Sequence, residues 1–477
     1  MGLFVSEVRP SQACARHVIE SESSMLRLFD LFEQAGHDLY LVGGAVRDHL
    51  LGVALEDLRD LDFATSALPA ESARILRAAG LPVFTMGSRF GTIGTVLEEG
   101  GLRREVQVTT FRGEIYVNGS RKPRVAFGMD LEADLSRRDF SINAMAMTRN
   151  RLLVDPYGGE RDLKQCILRT VGEPHTIFGE DPLRTLRAAR FIATLGMRPE
   201  PGLTQVVREV ADDILTVSRE RWLLEMNKLL TGPTVEMALD FLADTGLLVR
   251  LLPEAQAMVE FKASQGGYHH KALWPHTTAV VSQAPSRVAV RWAALLHDAG
   301  KVTTRSVDGV GEIHFFGHEA VGASLVDDVA RRFRFPQALH QRVRTMVLMH
   351  QRLALYEQTW TDGAIRRLIR DAGEVLMDLL DLSRADVTSH RPGVRGAALE
   401  RLAELEARTV DLREKDGQGP LLPKGIGAAI MRHYGIQAGP RVGELKGRLE
   451  QAVLDGFLPR GASDEEYLVY LDRISAS

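Results

Sequence analysis

The chain has 477 residues, 45% of them hydrophobic and 26% charged, an ordinary globular composition with enough apolar residues for more than one core. It contains only two cysteines, which excludes a disulfide framework and predicts a reducing, cytoplasmic location. The net charge of −4 excludes RNA binding through a global positive field, so any RNA contact is expected from local basic patches.

The sequence predicts neither a membrane segment nor a signal peptide. No apolar run approaches the ~18 residues that a membrane-crossing helix needs. The first residues include Glu7 and Arg9 and lack the apolar stretch of a secretory signal. We therefore expect a protein that works without a membrane.

Apolar and β-branched runs predict strands at residues 39–42, 61–64, 91–97 and 105–111, alternating with helical segments. From about residue 183 the apolar spacing becomes almost wholly helical. The Gly266-Gly267 pair interrupts that pattern and predicts a domain boundary. The whole pattern predicts an α+β fold, in which a small mixed-sheet domain is followed by mostly α-helical ones.

A glycine pair, Gly43-Gly44, follows the first predicted strand, and a helix is predicted to begin at once. Glycine lets the backbone approach a ligand closely, and a new helix offers unpaired N–H groups to an anion. Arg47 can add a charge-assisted contact to phosphate. We predict that Gly43, Gly44, Arg47 and Asp48 bind a nucleotide, although such a glycine pair is also typical of a plain turn.

Two acids, Asp60 and Asp62, stand two residues apart at the second predicted strand. Side chains alternate across a strand, so both carboxylates are expected on one face, where they repel each other unless a cation neutralises them. Mg²⁺ prefers oxygen ligands and often takes one or two carboxylates together with substrate phosphates. We predict that Asp60 and Asp62 are catalytic and hold Mg²⁺ for phosphoryl transfer; two solvated acids at a strand end are the alternative.

A third charged segment contains Arg137, Arg138, Asp139 and Asn143. Two arginines can hold a triphosphate, and a carboxylate can accept a hydrogen bond from a ribose hydroxyl. We predict that Arg138, Asp139 and Asn143 bind the nucleotide. A helix start with incidental charges would show the same residues.

The fourth segment begins with Asp181-Pro182, a typical start of a helix, and continues with Arg184, Arg187 and Arg190. Residues three apart on a helix share a face, so Asp181 and Arg184 offer an acceptor beside a donor. Cytosine and adenine both present an amino group beside a ring-nitrogen acceptor, whereas uracil and guanine present the reverse order. An Asp/Arg pair can therefore select C and A without a nucleic-acid template. We predict that these residues bind the nucleotide.

A set of histidines and acids recurs after Gly267 around a His-Asp doublet that ends an apolar helix: His276, His297, Asp298, His318, Glu319, His350 and Asp386. Imidazole and carboxylate groups on facing helices can hold a catalytic divalent ion, which makes water nucleophilic toward phosphate esters. A single histidine on an apolar face is more often a core residue, but a recurring set favours a metal site.

The first four segments, with two shorter ones, resemble the motifs of class II tRNA nucleotidyltransferases, the bacterial CCA-adding enzymes. In family order they are residues 41–48, 60–65, 109–112, 137–146, 155–159 and 180–191. Bacterial poly(A) polymerases share the same catalytic core. The resemblance implies template-independent addition of CCA to the 3′ end of tRNA from CTP and ATP. It assigns Asp60 and Asp62 to the metals and Asp181 and Arg184 to base selection.

The resemblance also implies four domains. These are a polymerase-β-like head over residues 1–150, a helical neck over 151–260, an HD body over 261–395 and a tRNA-binding tail over 396–477. Residues 111–123 resemble the flexible loop of the family, here represented by Arg112, Tyr116, Arg121 and Pro123. Family members that stop after CC lack that loop, so its presence predicts addition of the terminal A. Enzymes that add only A keep the loop as well.

Two features depart from the family pattern. Many relatives place Glu where this chain has Gln107, and Glu105 lies two residues away on the same face of the predicted strand. Either residue is a candidate for the third position of the acidic site. In the tail, residues 422–426 and 439–443 resemble the Gly-Pro motif of the family, but the usual acidic residue near Gly425 is missing.

The histidine region resembles the HD phosphohydrolase superfamily. By position, His276, His297, Asp298 and Asp386 match its metal ligands, and His318 and His350 are candidates for a second ion or for the phosphate. The resemblance implies a divalent transition metal of the nickel, manganese or cobalt class. It also implies 2′,3′-cyclic phosphodiesterase and phosphatase activity, which suits repair of damaged tRNA ends.

Three alternatives remain open from the sequence. The first is an enzyme that adds only A to CC ends made by a separate CC-adding partner. The second is a poly(A) polymerase, which usually has a basic body, whereas the isoelectric point here is about 6.4. The third is a phosphohydrolase with an inactive RNA-binding head, although Asp60, Asp62 and Asp181 are all retained.

Overall fold

The computed structural model describes residues 24–99, 101–115, 124–127, 130–261, 273–388, 392–417 and 421–475. Contacts divide the chain into two compact units. The head unit holds the residues up to Glu180 together with Arg198–Leu203, and the helical unit holds Asp181–Met197 and Thr204–Ser477. The finer division into four domains stays a prediction.

The head unit carries most of the strands. They are β1 Leu39–Val42, β2 Asp60–Thr65, β3 Thr92–Glu99, β4 Leu102–Thr110, β5 Arg112–Ile115, β6 Arg124–Phe127, β7 Ala146–Met147, β8 Leu153–Val154, β9 Ile167–Leu168 and β10 Arg198–Pro199. Its helices are α1 Ser24–Gln34, α2 Gly44–Leu50, α3 Pro69–Ala78, α4 Leu131–Ser136, α5 Gly159–Gln165 and α6 Pro174–Glu180.

One six-stranded sheet organises the head, in the order β3-β4-β2-β1-β7-β8. β2 and β4 run parallel, and the other neighbouring pairs are antiparallel. The sheet is therefore mixed. β5 and β6 form a separate antiparallel pair at the base of the predicted flexible loop.

Alternating burial along β2 separates the core from the opposite face of the sheet. Leu61 and Phe63 are fully buried in the main apolar cluster of the head, to which α1 and α3 contribute. Asp60 and Asp62 point the other way and are exposed. Ala64 follows Asp62 by two residues and therefore lies on the same face of β2 as the acids. It belongs to a second apolar cluster with Leu135 of α4. The strand period thus sets both acids on the face that carries α4.

The helical unit contains one short β-hairpin, β11 Ser306–Val307 and β12 Ile313–His314, among its described residues. Its helices up to the hairpin are α7 Leu183–Leu195, α8 Leu203–Glu209, α9 Arg219–Leu230, α10 Val235–Asp244, α11 Leu247–Leu251, α12 Pro253–Glu260, α13 Leu273–Gln283, α14 Val288–Leu296 and α15 Lys301–Thr304. The later ones are α16 His318–Phe333, α17 Gln337–Ala354, α18 Asp362–Ala372, α19 Leu376–Asp386, α20 Pro392–Gly417, α21 Ile426–Tyr434, α22 Pro440–Leu454 and α23 Asp464–Ser475.

Two groups of helices in this unit have their own packing. α13, α14, α16, α17 and α19 pack against one another and carry the predicted metal ligands. α21, α22 and α23 share a separate apolar cluster around the fully buried Tyr467. Within the described part of the chain, no helix is long and apolar enough to cross a membrane. The mixed-sheet head followed by helices confirms the predicted α+β fold.

Gly159 gives a test of how tightly α5 packs in the head. A Cβ at this position would lie 2.2 Å from the Ser141 carbonyl oxygen and 2.9 Å from Met145 Cγ. We expect Gly159→Ala to lower the free energy of unfolding by about 1–3 kcal/mol, the usual cost of overpacking. Gly179→Ala is the control, because a Cβ at that helical position meets nothing within 4 Å. Urea denaturation of both variants measures the difference, and equal midpoints would contradict the packing.

Candidate active sites

The two strand acids lie where alternation predicts them, side by side on the exposed face of β2. Partial loss of water around the carboxyl raises the pKa of Asp62, Arg138 lowers it and the Asp60 charge raises it, with a net increase. At Asp62, burial and the neighbouring acid thus outweigh the Arg138 charge. Two neighbouring carboxylates repel each other, and their oxygen atoms are the kind of ligand that Mg²⁺ prefers.

β4 places the third candidate positions beside these acids. In the parallel pairing, Gln107 lies opposite Asp62 and Glu105 lies opposite Asp60. Glu105 and Gln107 are both exposed, and they lie on the same face as the acids. Glu105 is thus the carboxylate next to Asp60, and a neutral amide stands next to Asp62.

The glycine turn between β1 and α2 lies against the arginine segment of the head. Gly43 has a positive φ of 70°, and a Cβ there would lie 2.8 Å from Arg138 Nη1. Only glycine fits both the backbone conformation and the close approach. The structure thus brings together two segments that the sequence analysis assigned separately to phosphate binding.

Arg47 and Asn143 extend this contact into a network. Arg47 Nη1 donates to Asn143 Oδ1 at 2.8 Å, and Arg47 Nε donates to Asp48 Oδ1 at 2.8 Å. Asn143 Nδ2 in turn donates to Asp139 Oδ1 at 3.0 Å. Asp139 and Asn143 are largely buried. The predicted nucleotide-binding residues of the head therefore form one connected group.

Asp134 of α4 binds both arginines of this segment and was not among the residues predicted from the sequence. It is 1% exposed and accepts hydrogen bonds from Arg137 Nη2 at 2.7 Å and Arg138 Nη2 at 3.1 Å. Burial raises the pKa of Asp134, but the charges and hydrogen bonds of Arg138 and Arg137 outweigh it and lower the pKa. The spacings of three and four residues on α4 were the available signal.

The base of the predicted flexible loop is partly described. Arg112 begins β5, and its guanidinium donates to the Phe90 carbonyl oxygen. Tyr116, Arg121 and Pro123 lie outside the described residues. Their assignment to the loop stays a prediction.

In the helical unit, Asp181 lies two residues before α7, with Pro182 between them. Its Oδ1 accepts from the Leu183 backbone N–H at 3.2 Å, and its carbonyl oxygen accepts from the Arg184 N–H at 2.9 Å. The Asp181 carboxylate is therefore held at the start of the helix, where it caps the Leu183 N–H. Arg221 of α9 donates to both Asp181 oxygens, at 3.2 and 2.6 Å.

The other two arginines of α7 meet one acid of α9. Arg187 Nη1 lies 3.4 Å from Glu225 Oε1, and Arg190 Nε lies 2.8 Å from Glu225 Oε2. Arg190 also lies over the Phe191 ring, 4.0 Å from its centroid. Arg221 and Glu225 could not be predicted from the sequence, because contacts between two helices leave no local spacing signal.

The predicted metal ligands of the helical unit converge at one point. His276 Nε2 lies 3.1 Å from Asp386 Oδ1 and 3.5 Å from Asp298 Oδ2. His297 Nε2 lies 3.3 Å from Asp298 Oδ2 and 3.6 Å from Asp386 Oδ1. These ligands come from α13, α19 and the end of α14, and the structure brings all of them together.

His318 and His350 lie on the other side of Asp298. Their Nε2 atoms lie 3.6 and 3.7 Å from Asp298 Oδ1 and 3.2 Å from each other. Ligand atoms of His276, His297 and Asp298 lie within 4.8 Å of one another, and so do those of Asp298, His318 and His350. Asp298 thus presents one oxygen to each of two clusters.

Hydrogen bonds at Nδ1 hold each imidazole with Nε2 toward the centre. The Nδ1 atoms of His297, His318 and His350 lie 2.7–2.8 Å from the carbonyl oxygens of Ala294, Phe315 and Val347, respectively. His276 Nδ1 lies 3.0 Å from Thr388 Oγ1. Such outer contacts fix the tautomer and aim the free nitrogen at a metal.

The buried charges of this cluster also fit a cation. His297 Nε2 and Asp298 Oδ1 are buried without a hydrogen bond of acceptable geometry. Burial lowers the pKa of His297, but Asp298 and Asp386 outweigh it and raise its pKa to about 10. The raised pKa of His297 and the Lys301 ammonium, 2.7 Å from Asp298 Oδ2, show that the carboxylates attract positive charge. A divalent cation would replace the proton on His297 and engage the unpaired atoms.

Asp134 yields a test of the arginine network. We expect Asp134→Asn to raise the KM for ATP about tenfold (~1.4 kcal/mol), because Arg138 loses the carboxylate that holds it beside Gly43. Nucleotide incorporation measured against ATP concentration gives the KM, and thermal melting checks folding. Glu132→Gln, an exposed acid on the same helix, is the control. An unchanged KM in folded Asp134→Asn would show that Asp134 does not position the site.

Family models match three segments of the chain in order. The poly A polymerase head domain matches residues 39–169, and the probable RNA and SrmB-binding site of polymerase A matches residues 196–258. The HD domain matches residues 276–391. These segments contain the strand acids, the α9 region and the histidine cluster.

Individual relatives agree with these matches. An A-adding tRNA nucleotidyltransferase of Deinococcus radiodurans is 36% identical over 426 residues, which cover 86% of this chain and 90% of the relative. A multifunctional CCA protein of Pseudomonas aeruginosa is 34% identical over 329 residues, 65% of this chain and 74% of the relative. The Bacillus stearothermophilus CCA-adding enzyme, solved in complex with CTP, matches with a TM-score of 0.66 and 28% identity. That match covers 95% of this chain and 97% of the enzyme. The extent of these matches shows that the chain belongs to the class II tRNA nucleotidyltransferases and combines a poly(A) polymerase-type head, an RNA-binding segment and an HD domain.

Proposed function

We propose that this tRNA nucleotidyltransferase adds CCA to the 3′ end of tRNA from CTP and ATP, and that its HD domain hydrolyses phosphate esters at tRNA ends. The observation that carries the first part is the pair Asp60 and Asp62, exposed together on β2 in the same unit as the Arg47–Asn143–Asp139 network. The pair supplies metal ligands, and the network supplies groups for the triphosphate and ribose.

The residues of the head have separate roles in the transfer. Asp60 and Asp62 hold Mg²⁺, which supplies charge stabilisation for the reacting triphosphate. Arg138, beside the Gly43 turn, and Arg47 bind triphosphate oxygens, and Asp139 accepts from a ribose hydroxyl. The tRNA 3′-oxygen forms a bond to the α-phosphorus, the bond to the β-phosphate oxygen breaks, and pyrophosphate leaves. The hydroxyl proton passes to solvent.

Base selection is assigned to Asp181 and Arg184 in the helical unit. The Asp181 carboxylate accepts from the amino group of cytosine or adenine, and the Arg184 guanidinium donates to the adjacent ring nitrogen. Uracil and guanine would leave these polar groups unpaired, which is a strong source of rejection. The cap at α7 and the Arg221 contact support this role by holding the carboxylate in place.

The histidine cluster is assigned to hydrolysis of 2′,3′-cyclic phosphates and phosphomonoesters. His276, His297, Asp298 and Asp386 hold a divalent transition metal, which supplies Lewis-acid activation of water. His318 and His350 face the second Asp298 oxygen and hold a second ion or the phosphate. A water oxygen forms a bond to phosphorus, the bond from phosphorus to one ribose oxygen breaks, and that oxygen leaves as a hydroxyl with a proton that the water gives up.

A second candidate for the transfer activity is addition of the terminal A alone, with a separate enzyme adding CC. One specific observation favours it: the A-adding relative of Deinococcus radiodurans aligns with 86% of this chain, compared with 65% for the multifunctional CCA protein of Pseudomonas aeruginosa. The Asp181–Arg184 pair suits both enzymes, because it accepts C and A alike.

Product sequencing separates these two candidates. The enzyme is incubated with tRNAs that end at the discriminator base, at C and at CC, and each nucleotide is offered separately. Full CCA addition predicts that CTP extends the first two tRNAs and ATP extends only the tRNA ending in CC. Incorporation of A on the CC end without any incorporation of C would establish A-only addition and overturn CCA synthesis.

Paired substitutions test whether the two sites act separately. We expect Asp60→Ala to reduce nucleotide incorporation roughly 10³-fold, the scale of removing a principal transition-state contact, and to spare hydrolysis of a cyclic nucleotide. His297→Ala should abolish hydrolysis and leave incorporation unchanged. Asp57→Ala, an exposed acid shortly before β2, is the control for charge removal. Full incorporation by Asp60→Ala would refute the catalytic assignment.

A further inference from the structure

A braced aromatic pair stands beside the histidine cluster and has no role in the reactions above. Phe316 lies between the β11–β12 hairpin and His318, and it is 78% exposed. Its ring stacks on His314, with centroids 5.0 Å apart and an angle of 12° between the planes. One face of Phe316 is therefore backed by a second ring, while most of its surface meets solvent.

The hairpin holds the backing ring in a fixed orientation. Asp308 Oδ2 lies 2.9 Å from His314 Nε2. Asp308 Oδ1 accepts from the backbone N–H groups of Val310 and Glu312, at 3.0 and 2.9 Å. One carboxylate thus closes the turn and fixes the His314 ring. A single exposed apolar side chain is common on protein surfaces. Here, however, a second ring and a hydrogen-bonded turn hold the exposed ring in a fixed position.

Contacts tie this stack to the metal cluster. The neighbouring residue, Phe315, has its carbonyl oxygen 2.8 Å from His318 Nδ1. Lys301 Nζ lies 2.7 Å from Asp298 Oδ2 and 5.8 Å from the centroid of the Phe315 ring. Phe316 and His318 are two residues apart, so their Cα atoms are separated by at most ~7 Å. The segment that carries the exposed ring therefore leads directly into the cluster.

We propose that Phe316, backed by His314, is a stacking platform for the base of the ribonucleotide whose phosphate is hydrolysed at the HD cluster. This inference rests on the proposed hydrolase function. The substrate class is then an RNA end or nucleotide carrying a 2′,3′-cyclic or terminal phosphate, rather than a simple phosphate ester. Every base has a π-face, so stacking tolerates any base, as a repair activity on different ends requires.

Stacking contributes to substrate binding and not to the chemical step, so its loss should change KM and not kcat. We expect Phe316→Ala to raise the KM for adenosine 2′,3′-cyclic phosphate about tenfold (~1.4 kcal/mol) and to keep kcat within about twofold. Hydrolysis of glycerol 1,2-cyclic phosphate, which has no base, should be unchanged. Phe316→Trp should keep the wild-type KM for the cyclic nucleotide, because its indole ring can also stack on a base. Phe457→Ala, which removes another exposed phenylalanine at 65% exposure, is the matched control and should behave like the wild type.

A binding measurement does not depend on turnover. The Phe316→Trp variant has one tryptophan more than the wild type, and the difference between their fluorescence emissions reports on that residue. Adenosine 2′-phosphate should quench this added emission, whereas glycerol 2-phosphate should not. If the wild type hydrolyses neither cyclic ester, the hydrolase proposal fails, and the quenching alone decides whether the platform binds nucleotides.

Three results would overturn the platform. The first is an unchanged KM for the cyclic nucleotide in Phe316→Ala, and the second is an equal loss on the nucleotide and glycerol esters. The third is the absence of base-dependent quenching of Trp fluorescence in Phe316→Trp. A change of oligomeric state in Phe316→Ala with unchanged nucleotide binding would assign the ring to a protein interface instead.

Discussion

Carboxylates that the fold holds close together are the feature on which both candidate sites depend. On β2, strand alternation leaves Asp60 and Asp62 on one face, and Asp60 helps to raise the pKa of Asp62. In the helical unit, the Asp298 and Asp386 carboxylates lie together among imidazoles. At the second site, neighbouring imidazoles outweigh burial and hold the pKa values of Asp298 and Asp386 below the usual range, with the Lys301 ammonium beside Asp298. Both sets of ligand atoms fit a divalent cation, although one site is built on a strand and the other on facing helices.

Outer contacts decide how the reactive groups are aimed. The buried Asp134 holds Arg137 and Arg138 by hydrogen bonds. In the histidine cluster, a backbone carbonyl oxygen orients each of His297, His318 and His350. Fixing these side chains before a ligand arrives reduces the entropy lost on binding. The same principle applies to Asp181, which a helix cap and Arg221 hold together.

Local patterns made much of this architecture predictable from the sequence. Strand β1 begins and ends at the predicted residues, and helix α7 begins at residue 183, where helical spacing was predicted to start. The alternation around Leu61 correctly placed Asp60 and Asp62 on one face. The recurring histidines and acids correctly predicted a cluster of potential metal ligands. Contacts between distant elements could not be predicted, because no spacing encodes them. The Asp181–Arg221 pair joins residues 40 positions apart, and the approach of Arg138 to Gly43 depends on how two turns pack.

The central claim is that the β2 acids gather divalent cations while Asp181 and Arg184 read the base. Crystals grown with Mn²⁺ and a non-hydrolysable CTP analogue test it directly, because anomalous scattering locates each ion. The account predicts Mn²⁺ at coordination distance from both Asp60 and Asp62, with the cytosine amino group facing the Asp181 carboxylate. A triphosphate bound with no ion between those two acids, or a cytosine remote from Asp181 and Arg184, would contradict it.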